Sequence, residues 1–308
     1  MAKTIAAPIL TSHLPALSPL AKGVALGLSA ALIWGAYLAM ARAGVSAGLA
    51  PADLAFLRYV PAGLILLPVF VRAGVADAAG IGWARAFLLA LLVGPPFILI
   101  GVAGYQFAPL AHGAALQPAA LTLGATFLAM VVGGERLKLR QALGLVAMVA
   151  GIAAVAGPGL FAGDAATLPG DALFILAGLM WASFGALAKR WGLAPLQATA
   201  ALSVISAAVY VPIYLALYGI DHLAAISLDM LAAQIVVQGV LSGVVAVVAF
   251  THVVRLIGPA KAGLFPALVP AVAVLIGMPI TGEIPGLWQA AGIVLATGGL
   301  LYSVLARK

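Results

Sequence analysis

The chain reads as a succession of long apolar runs separated by short polar breaks. Ten runs fall at 22–43, 52–72, 86–107, 111–131, 139–157, 170–190, 195–218, 230–254, 260–281 and 286–305. Each is close to the ~20 residues that an α-helix needs to cross the hydrocarbon core of a bilayer. Strands of a membrane barrel would alternate over about half that length, so the runs predict helices. None of the breaks is long enough for a soluble domain, and the Pro- and Ala-rich stretch 1–21 predicts a mobile cytoplasmic arm. Ala39-Met40-Ala41 imitates a signal-peptide cleavage site at the end of the first run, but that run has a later copy in the chain, which argues for a retained span.

Composition agrees with the pattern. Of 308 residues, 65% are hydrophobic and 7% charged, with a mean hydropathy of +1.22. Soluble domains carry roughly a quarter charged residues, so a soluble enzyme, a disordered chain and a cytosolic binding module are all excluded. With no cysteine, there is no disulfide framework, thiolate nucleophile or thiolate-bound metal. The net charge of +7 does not form the clustered face that nucleic acid requires. The cations sit instead between apolar runs. With the amino terminus placed in the cytoplasm, Lys3, Lys22, Arg72, Arg85, Arg136, Lys138, Arg140, Lys189, Arg190, Arg255, Lys261, Arg307 and Lys308 gather inside, 13 of 15. Arg42 is left outside, Arg58 lies within the second run, and the outer loops hold Asp164, Asp221 and Asp229. By the positive-inside rule both termini are cytoplasmic.

The second half repeats the first. At a shift of 148, Pro118 falls on Pro266, Gly134-Glu135 on Gly282-Glu283, Gln141 on Gln289, Gly144 on Gly292 and Gly151 on Gly299. One residue less lays Trp34 on Trp181, Ala41 on Ala188 and Arg42 on Lys189. Five spans per copy is an odd number, so the second copy runs through the bilayer upside down. The expected fold is an all-α integral membrane protein of ten transmembrane helices in two inverted five-helix repeats, 22–157 and 170–308, joined by an outer loop at 158–169. Inverted repeats of this kind build transporters with a binding site near mid-depth.

A Trp in the first helix of each half, and a Gly-Glu pair closing the fourth helix of each half, resemble the drug/metabolite transporter superfamily, specifically its EamA-type ten-helix exporters. Gly134-Glu135-Arg136-Leu137 fits that ending well, whereas Gly282-Glu283-Ile284-Pro285 departs from it after the Glu. The resemblance covers nearly all of the chain beyond residue 20. It implies a central cavity lined by helices one to four and six to nine, with five and ten at the periphery. It also implies export of a small metabolite, with amino acids as cargo and the bacterial aromatic amino-acid exporters as the indicated branch.

Polar groups within the spans are the site candidates, because each costs several kcal/mol in lipid unless partnered (~0.6–3 in practice). The eighth run places Gln234, Gln238 and Ser242 four residues apart, hence on one helix face. They either hydrogen-bond a polar solute or tie two helices together. In the third run Gly94-Pro95-Pro96 removes two backbone donors, with Tyr105 and Gln106 beyond it. At the 148 shift this break lies opposite Ser242-Gly243, and paired interruptions mark transporter sites. Trp34, Tyr37, Trp181 and Phe184 lie inside their spans rather than at the interfacial belts, as cavity walls or as packing. The expected substrate contacts are therefore Trp34, Tyr37, Pro95, Tyr105, Gln106, Trp181, Phe184, Gln234, Gln238 and Ser242.

The remaining polar groups are read mainly as structural. His112 and His252 either carry a proton or, as expected here, are satisfied near the interfaces; Arg58 snorkels, pairs with Asp53 or meets an anionic group of the substrate; and Glu135 and Glu283 brace helix ends. Gly144, Gly151, Gly292 and Gly299 fit close packing either within the chain or against another copy. No carboxylate lies mid-span and no phosphate-binding loop is present, so neither a carboxylate relay nor ATP drives the cycle. No cofactor or metal is called for, and the expected partners are a small-molecule solute and the bilayer. A membrane-embedded lipid enzyme lacks a convergent nucleophile and base, and a passive channel lacks a polar ring.

Overall fold

The computed structural model describes residues 18–134, 136–161 and 165–306. Most of the arm at 1–21, Glu135, Asp164 within the joining loop and the last two residues lie outside them. The described residues form helices and no strand. In chain order these are α1 (Pro19–Ser46), α2 (Pro51–Gly74), α3 (Trp83–Val93), α4 (Pro95–Ala103), α5 (Leu110–Val131), α6 (Leu139–Phe161), α7 (Leu168–Arg190), α8 (Pro195–Leu217), α9 (Leu228–Gln234), α10 (Ala246–Ile257), α11 (Pro259–Ala262), α12 (Leu264–Ala267), α13 (Val269–Thr281) and α14 (Leu287–Leu305). A π-helical segment, Ile235–Val245, joins α9 to α10 without a break.

Among the described residues, nine helices or helix series are long and apolar enough to cross a membrane. The run expected at 260–281 is the exception, because it divides into α11, α12 and the 13-residue α13. Pro266 and Pro270 lack the N–H that a continuous helix would aim at residues 262 and 266, which accounts for the division.

Packing follows the repeat. α1 lies on α13 as α7 lies on α5, α1 lies on α10 as α7 lies on α4, and α2 lies on the π segment as α8 lies on α3. Exchanging the halves leaves three seams paired with themselves, α2 with α8, α5 with α13 and α6 with α14. The last is a backbone-to-backbone seam. A Cβ on Gly144 would stand 2.6 Å from the Ser303 nitrogen, one on Gly292 2.6 Å from the Gly151 carbonyl, and one on Gly299 2.5 Å from the Met148 nitrogen. The four glycines thus serve packing inside the chain.

The turns entering the second helix of each half are also equivalent. Gly48-Leu49-Ala50-Pro51 recurs as Gly192-Leu193-Ala194-Pro195. Both glycines have positive φ, +95° and +62°, which a side chain would disfavour, and each proline opens a helix where its missing donor is harmless.

Candidate functional site

Two interruptions at the same place in the two halves shape the interior. Pro95 and Pro96 cannot donate to the carbonyls one turn back, and a residue before proline avoids the helical region. Gly94 accordingly turns extended, with ψ of −148°, and α3 ends. Phe97 then bonds to the Gly94 carbonyl at 3.1 Å rather than to Val93. The carbonyl so released accepts the Tyr59 hydroxyl of α2 at 2.7 Å. The break is thereby satisfied by a neighbouring helix, as membrane burial requires.

The eighth run keeps its helical path but widens to π geometry, a rearrangement that concentrates at functional sites. Gly239 and Gly243 let α2 approach; a Cβ on Gly239 would lie 3.0 Å from the Leu57 carbonyl and would overlap Pro61. By the matched turns, whose shift is 144, Gly94 falls on Gln238. This moves the pairing from Ser242-Gly243 to Gln238-Gly239, since the spacing between repeats is four residues shorter here than at the fourth spans.

The polar stripe is fully buried, with Gln234, Gln238 and Ser242 at 0%, 1% and 3% exposure. The Gln234 amide donates to the Met40 carbonyl at 2.7 Å and the Gln238 amide to the Tyr37 carbonyl at 3.2 Å, both on α1. Gly44 leaves room for the first of these amides. Ser242 accepts from Arg58, whose Nη1 donates at 3.1 Å both to it and to the Gln238 carbonyl. The guanidinium lies 5.1 Å from the Tyr37 ring centre and 5.9 Å from that of Tyr59. Tyr37, Gln238, Ser242 and Arg58 therefore form one cluster where α1, α2 and the π segment meet.

The aromatic expectations divide between two equivalent contacts. Trp34 packs on Phe250 at 5.3 Å and Trp181 on Phe97 at 5.1 Å, the same α1–α10 and α7–α4 relation in each half. Phe184 continues from Trp181 at 6.4 Å. Both tryptophans and Phe184 are half-buried, whereas Pro95 and Tyr105 are buried. Tyr105 and the exposed Gln106 line a cavity of about 480 Å³ with Arg42, Val45, Gly48, Leu49 and Ala50. The expected contact residues thus occupy four places, not one: the polar cluster, the two aromatic contacts and this cavity.

Ion pairs close the helix ends beside that cavity. Arg42 Nε pairs with Glu283 at 2.5 Å and its Nη1 donates to the Tyr105 carbonyl at 2.6 Å. Glu283 also accepts the Leu110 N–H at 2.7 Å, capping α5, so its expected bracing role is realised. Asp53 does not meet Arg58. It accepts from Tyr214 at 2.7 Å, lies 2.9 Å from His222 and accepts the Ala50 N–H at 2.8 Å, consistent with the poor five-residue spacing. His112, in the first turn of α5, is buried and satisfied, 2.7 Å from Asp171 of α7. His252 is exposed and meets the Val248 carbonyl of its own helix at 2.8 Å. Among the described residues no group of three or more metal-ligating side chains comes together.

Sequence reasoning left Arg58 outside the expected set and missed Phe97 and Phe250. For Arg58 the matched turns carry the signal, because they align α2 with α8; for Phe97 and Phe250 the sequence holds no such mark.

Residues 21–157 and 168–305 each match the model of the EamA-like transporter family. A solved crystal structure superposes with a TM-score of 0.63 at 19% identity, covering 93% of this chain and 99% of that one; at that identity the likeness concerns the fold. No curated protein shows significant similarity to the chain.

Proposed function

The chain belongs to the EamA-like transporter family, and from that premise we propose that it exports small metabolites, amino acids foremost and the aromatic ones among them, by alternating access. The carrying observation is the exchange symmetry of the packing: the main seams between the halves, α1–α13 with α5–α7, α1–α10 with α4–α7 and α2–π segment with α3–α8, have their counterparts when the halves are swapped. Two such halves reach opposite arrangements by trading conformations across mid-depth. On this reading α11 to α13 make the ninth of ten crossings, and the repeats run in opposite directions within an inner membrane. The cation distribution supports both termini in the cytoplasm and the Arg42–Glu283 end outside.

The solute binds between the broken third and eighth spans. Trp34, Tyr37, Trp181 and Phe184 supply apolar walls, and Pro95 marks the flexible backbone. The Gln234, Gln238 and Ser242 face orders the α1 side, and Tyr105 and Gln106 sit on the outer path. Arg42–Glu283 and His112–Asp171 fasten the outer mouth, and their release opens it. The test is counterflow into liposomes loaded with labelled amino acids and nucleotide sugars. Saturable, exchange-stimulated amino-acid flux is expected; linear flux through the purified protein would reject the carrier in favour of a channel.

A further inference from the structure

Arg58 is 9% exposed in the eighth position of α2, about two turns in from its start. Its two hydrogen bonds both leave from Nη1 and both end on neutral oxygens. A guanidinium carries five donors in a planar fork. Among the described residues the carboxylates in ion pairs are engaged elsewhere: Asp53 with His222, Asp171 with His112, and Glu283 with Arg42. A cation taken from water into a membrane protein without a counter-charge is costly. The fold does not ask for it. The matched turns set Arg58 opposite Leu202 of α8, an apolar side chain 7% exposed. Packing at this position is thus achieved without charge in the other half.

Resting on the transport reading above, we infer that Arg58 is the recognition point for the carboxylate of the transported solute, with the Tyr37 and Tyr59 rings as its walls. The fork matches a carboxylate in two parallel hydrogen bonds, and the solute supplies the missing negative charge. Cargo is thereby narrowed to small carboxylates with an apolar body. The Gln238 carbonyl and Ser242 hydroxyl hold the guanidinium in place, and both belong to the π segment, so the segment's register sets where the fork points.

The experiment follows thermal unfolding of the purified protein in detergent at fixed ionic strength. The probes are L-phenylalanine, L-leucine and benzoate, each against its amide. The acids are expected to bind about tenfold or more tighter than the amides, the scale of one lost charged hydrogen bond. Arg58→Leu, which copies the counterpart residue, is expected to fold and to lose the preference. Arg58→Lys, which keeps the charge without the fork, is expected to retain only part of it. Equal binding of acids and amides, absence of any acid effect, or a full preference surviving in either variant overturns the site. Counterflow is read separately. Saturable exchange without acid preference removes the carboxylate site and leaves the transporter, whereas acid binding without saturable exchange does the reverse.

Discussion

The third and eighth spans hold the same place in the two halves and are interrupted by different means. In the third, two prolines delete donors and the helix stops at Gly94. In the eighth, no donor is lost and the ladder shifts register over Ile235–Val245. The consequences differ accordingly. The proline break frees a carbonyl that α2 must satisfy through Tyr59. The glycines of the π segment instead admit α2 at backbone distance, its Gln238 carbonyl accepts from Arg58 and its Gln238 amide reaches α1. One interruption is thus repaired by a neighbour, and the other recruits neighbours. Both meet on α2, which carries Tyr59 and Arg58 side by side.

Breaking the eighth-span contact has the largest expected effect. Gly239→Leu forces a side chain into Pro61 and the Leu57 carbonyl, and overpacking of this kind costs about 1–3 kcal/mol or more; the unfolding temperature in detergent reads it. Next is Tyr59→Phe, which leaves the Val93 carbonyl without its hydroxyl donor, about 1–3 kcal/mol. An unchanged unfolding temperature there would mean that the proline break repairs itself. Gln238→Leu removes one interhelical hydrogen bond, worth ~0.6–1.7 kcal/mol in membranes. It is expected to lower saturable flux at unchanged expression, and unaltered kinetics would separate the stripe from the site. The smallest shift in stability, within ~1 kcal/mol given the compensating contacts, belongs to Pro96→Ala. Slower exchange at equal solute affinity would identify the break as a moving part.

The fold was legible because its signals are long: runs of about 20 apolar residues, a steep cation asymmetry and a repeat that survives single-residue drift. The ninth span was less so, since prolines within an apolar run do not announce where a helix divides. The site was legible in type rather than in assembly. Gln234, Gln238 and Ser242 share a face by spacing alone, but their partners on α1 and α2 are set by tertiary approach across nearly 200 residues of chain. Arg58 was visible as a charge and ambiguous as a role. Only the turn at Gly48–Pro51, repeated at Gly192–Pro195, shows that its opposite number is Leu202.

The glycine seam between α6 and α14 has a mechanical corollary. Since it maps onto itself when the halves trade places, and its two backbones already touch, the proposed alternating-access cycle would use it as a fulcrum. Spin labels flanking Gly151 and Gly292 should report one fixed separation throughout the cycle, while labels flanking Arg42 and Glu283 should report two.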